Sequence, residues 1–237
     1  MGEGFPGILA LLQDVSLEEP RLIEWDWISE NFWEDIWPAI QGHMYLSFVS
    51  VAIALAISLP IGVLSARYRK IYPPVTFVTG ILYSIPSLAL FSILISVPGI
   101  VIGATPVIIA LVAYSLLILI RNVVAGIDSV PAETIDAARG MGLTNSQILF
   151  KVELPLALPV IVAGIRIATV TIIGIATIGA YISGGGLGKL IFDGINRNFP
   201  TMIIAGAVLA TALAILADLL LLAVERYLRP WARRSRA

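Results

Sequence analysis

Residues 71–120 read IYPPVTFVTG ILYSIPSLAL FSILISVPGI VIGATPVIIA LVAYSLLILI, and none of these fifty side chains carries a charge. One helix crosses the roughly 30 Å hydrocarbon layer in about 20 residues. The run is too long for one crossing and suits a hairpin of two, broken near Pro98-Gly99 and Gly103. It predicts spans at about 75–97 and 104–120. Working outward, 44–66 supplies a first span that ends at Arg67-Tyr68-Arg69-Lys70, with a fourth at about 160–182 and a fifth at about 201–224. The expected fold class is an all-α membrane protein of about five transmembrane helices.

Composition agrees. Hydrophobic residues make up 58% of the 237-residue chain and charged residues 13%, against roughly 45–50% and about 25% in soluble domains. The mean hydropathy of +0.94 points the same way. A formal charge of −1 offers phosphates no basic face, so no nucleic-acid partner is expected. Without cysteine there is no disulfide, thiolate nucleophile or zinc–thiolate site. The apolar stretch 5–12 follows Glu3 and is too short to span, so it reads as no secretory signal.

Basic residues set the expected orientation. With the C-terminus cytoplasmic, the inside holds Arg67, Arg69, Lys70, Arg121, Arg139, Lys151, Arg226, Arg229, Arg233, Arg234 and Arg236. The outside then holds only Arg21, Lys189 and Arg197. This division puts an acidic, Trp-rich segment, 1–43, outside and a basic tail, 225–237, inside, with the transmembrane domain at 44–224. Trp33 and Trp37 lie four apart, so a helix from about 27 to 41 would show both on one face. That helix either lies in the membrane interface leading into the first span or docks another subunit.

On the cytoplasmic side of this scheme lies a polar segment, 121–159. It contains Asp136-Ala137-Ala138, three residues, Gly142, nine residues, then Val152-Glu153-Leu154-Pro155. Glu133, Asp136 and Ala137 phase onto one face of a short helix, and small alanines allow another protein's backbone to approach closely. Gly140 and Gly142 permit a sharp turn before a second helix at 146–154, and Leu154-Pro155 stops one helix and begins the next.

Other features carry weaker signals. Ser183-Gly184-Gly185-Gly186-Leu187-Gly188-Lys189-Leu190 looks like a phosphate loop but fails at both ends, with Ser183 for the first Gly and Leu190 for the magnesium-holding Ser/Thr. A flexible external turn is expected, with a gate or receptor-docking role open. Pro86, between Ser84 and Ser87, breaks the second span at mid-membrane. Either serine would re-satisfy the freed carbonyl or face a polar pathway, or the kink serves packing alone. Arg166 and Asp218 sit at similar depth within the fourth and fifth spans. They either pair, or Arg166 snorkels to the headgroups while Asp218 lies on a small-residue interface. His43 has no ligand partner nearby and reads as a first-turn residue at the outer interface. No catalytic triad, H-E-x-x-H or carboxylate-dyad spacing is present, so no catalytic residue and no metal site are expected.

The spacing around Gly142 resembles the EAA loop of permease subunits in ATP-binding-cassette importers, D/E-A-A-x3-G-x9-I/V-x-L-P. Residues 84–91, 137–142, 152–159 and the G-x-G-G-L-G-like loop after the fourth span resemble the glycine betaine/carnitine/choline branch in particular. The N-terminal segment departs from that pattern. The resemblance implies the type I importer permease fold and a coupling role for Asp136, Ala137, Ala138, Gly140, Gly142, Leu154 and Pro155. It implies a pathway or gate near Ser84, Pro86, Ser87, Gly184, Gly185 and Gly186. Its partners would be two cytosolic ATPase subunits holding the ATP and magnesium, an external substrate-binding protein, and a second permease subunit, alike or different. This chain would bind no cofactor itself. Two other classes fit less well: an importer of another solute (amino acid, methionine or sulfonate), which the loop cannot distinguish, and an ion-coupled secondary transporter. The latter would want intramembrane carboxylates in paired repeats, and only Asp218 is found.

Overall fold

The computed structural model describes residues 22–228, and residues 1–21 and 229–237 fall outside the description. The apolar stretch 5–12, half of the acidic segment and most of the basic tail therefore lie outside the described residues. Everything regular within them is helical. Four helices are long and apolar enough to cross a membrane, or five if a bent pair counts as one span.

The chain enters through α1 (Trp25–Glu30), breaks at Asn31, makes a wide π-turn at Phe32–Ile36 and continues as α2 (Trp37–Arg67). The expected single helix over 27–41 is corrected: it is broken at Asn31 and by the π-turn, and the helix that contains the first span begins at Trp37 and takes in residues 37–43 of the Trp-rich segment. At about 46 Å for 31 residues α2 outreaches the hydrocarbon layer. The N-terminal turn docks on its own chain. The Glu24 amide donates to Thr201 Oγ1 at 3.0 Å, and the Trp27 and Phe199 rings meet edge-to-face at 5.4 Å.

The buried side of α2 is marked by size. His43, Ser47, Ser50, Ala54, Ser58, Gly62 and Ser65 recur every three or four residues along the buried side of α2, which packs chiefly against α5 (Ala104–Asp128). A Cβ on Gly62 would lie 2.6 Å from Val123. Close approach of this kind is how helices associate in lipid, where burying apolar surface yields little. α5 is the centre of the bundle, flanked by α2 and by α8 (Leu154–Gly179). The charge at Arg121 suggests an end for this span at 120. The helix instead runs two further turns, because Arg121 is exposed while Val123, Val124 and Ile127 keep the buried face going.

The span expected at about 75–97, with its break at Pro86, is two short helices, α3 (Tyr72–Ser84) and α4 (Ser87–Ile95), bent by 94°. Thirteen residues rise only about 20 Å, too little to cross. Pro86 forces Ile85 into an extended conformation, φ −68° and ψ 129°. The freed Ile85 carbonyl accepts from Tyr114 Oη of α5 at 2.7 Å, while Ser84 donates back to Gly80 at 2.7 Å. Neither serine repairs the break as expected; a neighbouring helix does.

After α5 the chain leaves the bundle as α6 (Ala132–Gly140) and α7 (Asn145–Ile148), then re-enters through a π-turn at Leu149–Glu153 into α8. Leu154-Pro155 does not separate two helices. The Leu154 amide reaches back five residues to Leu149, and this widened turn absorbs the bond that Pro155 cannot give. A 3-10 turn (Ala180–Ile182), the glycine loop, α9 (Leu187–Asn196) and α10 (Pro200–Tyr227) complete the chain. The amphipathic α9 lies in a stretch expected to be only loop. It buries Leu187 and Leu190 against Ile36, Ala39 and Met202.

Candidate coupling site

The excursion between α5 and α8 is shaped by backbone chemistry. α6 ends in a paired-bond cap: the Gly142 amide donates to Arg139 at 2.9 Å and the Leu143 amide to Ala138 at 3.2 Å. This closure requires a left-handed residue after the last helical turn, and Gly142 supplies φ +81°. Gly140 has no such conformation, so the turn depends on one glycine of the two predicted. Thr144 then opens α7 with a capping box. Its Oγ1 accepts from the Gln147 amide at 3.4 Å, and Gln147 Oε1 accepts from the Thr144 amide at 2.9 Å.

Of the seven residues assigned to coupling by resemblance, Asp136, Ala137, Gly140 and Gly142 are exposed around the tip. Ala138 faces inward at 1% exposure, and Leu154 packs with Val123, Ile127, Ala157 and Ile161 inside the bundle. Pro155 is half-buried in the first turn of α8. The seven thus divide into a solvent-facing set and a set that roots the excursion. Two large apolar side chains that the sequence reading passed over, Met141 and Phe150, stand 73% and 68% exposed on the same excursion. Their signal was present: bulky apolar residues in an otherwise polar segment.

Charges gather at this end of the bundle. Arg166 Nε and Nη2 donate to the two carboxylate oxygens of Asp218, each at 2.9 Å, and Nη1 donates to Glu225 Oε2 at 2.9 Å. The structure therefore brings Arg166 and Asp218 together, and adds Glu225, which the sequence reading did not single out. Arg67 donates to Glu153 at 2.8 Å, and Arg69 holds both oxygens of Asp128, whose hydrogen bond raises the Arg69 pKa above its ordinary value.

At the opposite end, Gly184 and Gly186 are tightly packed at a corner in place of the flexible turn expected, and Gly185 between them has open space. A Cβ on Gly184 would lie 2.6 Å from Val107 and one on Gly186 2.9 Å from His43 Nδ1, and Gly185 and Gly186 both have positive φ. His43 is fully buried in the second turn of α2, a correction to its expected place at the outer interface. Its Nδ1 accepts from the Leu187 amide at 3.3 Å, which leaves Nε2–H to donate to the Ile173 carbonyl at 3.1 Å. A cavity of about 320 Å3 opens beside the corner, lined by Glu34, Asp35, Tyr45 and Lys189 among others. Ser84 and Pro86, at the α3–α4 bend, are exposed, and Ser87 is half-buried.

A helical bundle long and apolar enough to span a membrane, with a capped two-helix excursion between two of its long helices, is the architecture of a membrane transport subunit. Residues 58–234 match the family described as binding-protein-dependent transport system inner membrane component, and the chain belongs to that family. The glycine betaine/carnitine/choline transport system permease protein OpuCD of Bacillus subtilis (strain 168) is 42% identical over 189 residues, covering 79% of this chain and 82% of that protein. The osmoprotectant import permease protein OsmW of Salmonella typhimurium is 42% identical over 191 residues, covering 79% and 89%. A chain of the MetNI methionine ABC transporter, solved in inward-facing conformations, superposes with a TM-score of 0.72 at 27% identity, covering 81% of this chain and 97% of that one. The fold is thus that of a type I ABC importer permease, and this chain is the multi-pass membrane permease subunit of such an importer. Membership implies ATPase and substrate-binding partners in general terms.

Proposed function

We propose that this permease carries a compatible solute of the glycine betaine, choline or carnitine type, and that cytosolic ATPase subunits grip it at α6–α7. The observation that carries the coupling reading is the excursion itself. It is capped at Gly142, exposes Met141 and Phe150, and is rooted by Ala138 and Leu154. The solute reading leans on relatives about 42% identical whose names specify osmoprotectants. The distribution of basic residues supports an external N-terminus and a cytoplasmic C-terminus.

Two such permeases, identical or paired with a sister, enclose the path between them. An external binding protein delivers the solute. ATP and magnesium sit on the ATPase subunits, and this chain holds neither nucleotide nor metal. Closure of the ATPases moves α6–α7, and the bundle alternates between inward- and outward-open states. Ser84, Pro86 and Ser87 at the broken α3–α4 helix line or shape the path, and Gly184–Gly186 form part of the outer gate. Asp136, Ala137 and Gly142 face the ATPase, and Arg166 with Asp218 fixes α8 to α10.

Uptake of labelled glycine betaine or choline by the reconstituted complex tests this reading, with Gly142→Asp as the uncoupled control. Uptake of methionine in place of both would overturn the solute. Unaltered uptake in the Gly142 variant would overturn the coupling role.

A further inference from the structure

We infer that Arg67 and Arg69 are positioning residues of the coupling step. Two side chains from one helix end tie both stems of the α6–α7 excursion to α2, so that force on the excursion reaches the bundle. The inference rests on the reading that the ATPase docks on α6–α7.

The excursion leaves the bundle at Asp128, the last residue of α5, and returns at Glu153, the last residue before α8. Its own anchorage is slight: Ala138 is the buried side chain of α6 and Ile148 that of α7. α7 has only four residues and opens into a widened turn, so it transmits little load as an isolated helix. Between tip and bundle stand the two arginines. Arg69 Nη1 donates to Asp128 Oδ2 at 2.9 Å and Nη2 to Oδ1, a forked clasp on the outgoing stem. Arg67 Nη2 donates to Glu153 Oε2 at 2.8 Å and also to the Asn145 carbonyl at 3.3 Å, spanning α7 and its π-turn on the returning stem.

The two clasps differ in strength. The Glu153 side chain is 4% exposed, so losing its cation strands a buried charge. Arg69 and Asp128 are 58% and 39% exposed, where an ion pair contributes little and salt screens it. The returning stem is held firmly and the outgoing stem loosely. Motion of the tip therefore turns about the Asp128 stem and pulls α2 through Arg67. α2 is the helix whose outer end carries His43 against the glycine corner, about 36 Å away along its axis.

The test uses the full complex of permease, ATPase and binding protein in liposomes, with uptake of radiolabelled glycine betaine and ATP hydrolysis measured together. Arg67→Glu and Glu153→Arg should each lower solute moved per ATP roughly tenfold while hydrolysis stays within about twofold. The double variant R67E/E153R should restore most of the ratio, which a merely structural role would not do. Asp128→Asn should lower it about twofold or less. Because the chain has no native cysteine, Met141→Cys reports docking separately by cross-linking to an ATPase subunit bearing one engineered cysteine. Failure of that cross-link in the otherwise native permease overturns the docking reading. A cross-link with unchanged solute per ATP in Arg67→Glu overturns the positioning role and leaves docking intact. A double variant that stays uncoupled overturns it too. If Arg67→Glu does not assemble, Arg67→Gln decides, since it removes the cation that faces Glu153 without placing a second carboxylate there: an unchanged ratio there refutes the proposal and a severalfold lower ratio supports it.

Discussion

The two ends of this bundle are fastened by opposite means. At the end that carries α6–α7, long side chains reach across gaps: Arg67 to Glu153, Arg69 to Asp128, and Arg166 to Asp218 and Glu225. At the glycine-corner end, backbone meets backbone through glycine, and one buried imidazole fills the corner. A guanidinium can keep its partner through a shift of an ångström or more because its stem rotates. A glycine against a carbonyl cannot. The α6–α7 end is held by contacts that tolerate a shift, and the glycine-corner end by contacts that fit one way.

The sharpest test of that contrast is Gly188→Ala. The added Cβ would lie 1.9 Å from the Thr177 carbonyl oxygen, so α9 must separate from the end of α8. Overpacking of this order costs about 1–3 kcal/mol or more, and assembled protein in the membrane should fall severalfold, read by detergent-resistant yield. Gly80→Ala, where nothing lies within 4 Å, should leave the yield unchanged. Equal loss in both would remove the distinction between fitted and open positions. Next comes His43→Ala. It leaves the Leu187 amide and the Ile173 carbonyl without their partner at a buried site, which costs about 1–3 kcal/mol per group. The melting temperature of the purified permease should drop by several degrees, with His43→Gln falling less.

Parts of this were legible in the sequence. Charge-free runs pointed to the long apolar helices because an unpaired charge in lipid is expensive, and the spacing around Gly142 marked the excursion because its turn needs a left-handed residue. Helix ends were not legible where charge was used to place them. Arg121 looked like an end, yet the helix needs only its buried side to be apolar. The packed face of α2 was invisible for a related reason: Ser50, Ser58 and Ser65 are no more apolar than their surroundings, and smallness selected them. His43 read as interfacial because its donor and acceptor partners lie 144 and 130 residues away in the chain. The division of labour within the coupling motif was equally hidden. Nothing in Asp136-Ala137-Ala138 says that the second alanine faces the bundle and the first faces out.

Arg166→Leu probes the fastening at the α6–α7 end. It removes the cation between Asp218 and Glu225, and the severed link between α8 and α10 should cut transport severalfold. Asp218→Asn should do less, because the amide oxygen still accepts one bond from Arg166 and Glu225 still balances the charge. Uptake per assembled complex measures both. If Asp218→Asn matched Arg166→Leu, the three groups would be acting as a rigid plug and not as an adjustable link.

The smallest effects fall at the tip, where glycine serves conformation and not space. Gly140 and Gly142 both have open room for a Cβ, but only Gly142 has positive φ. Alanine at 142 should cost about 1–2 kcal/mol of left-handed strain and loosen the Leu143–Ala138 bond. Asparagine, which enters that region more readily, should cost less. Alanine at 140, the last residue of α6, should gain a few tenths to about 1 kcal/mol as the better helix former. Amide exchange at Leu143 reads this order directly: protection should rank Gly140→Ala at or above the parent, then Gly142→Asn, then Gly142→Ala. If the two alanines behaved alike, steric room and not backbone geometry would govern the tip, and it would resemble the glycine corner after all.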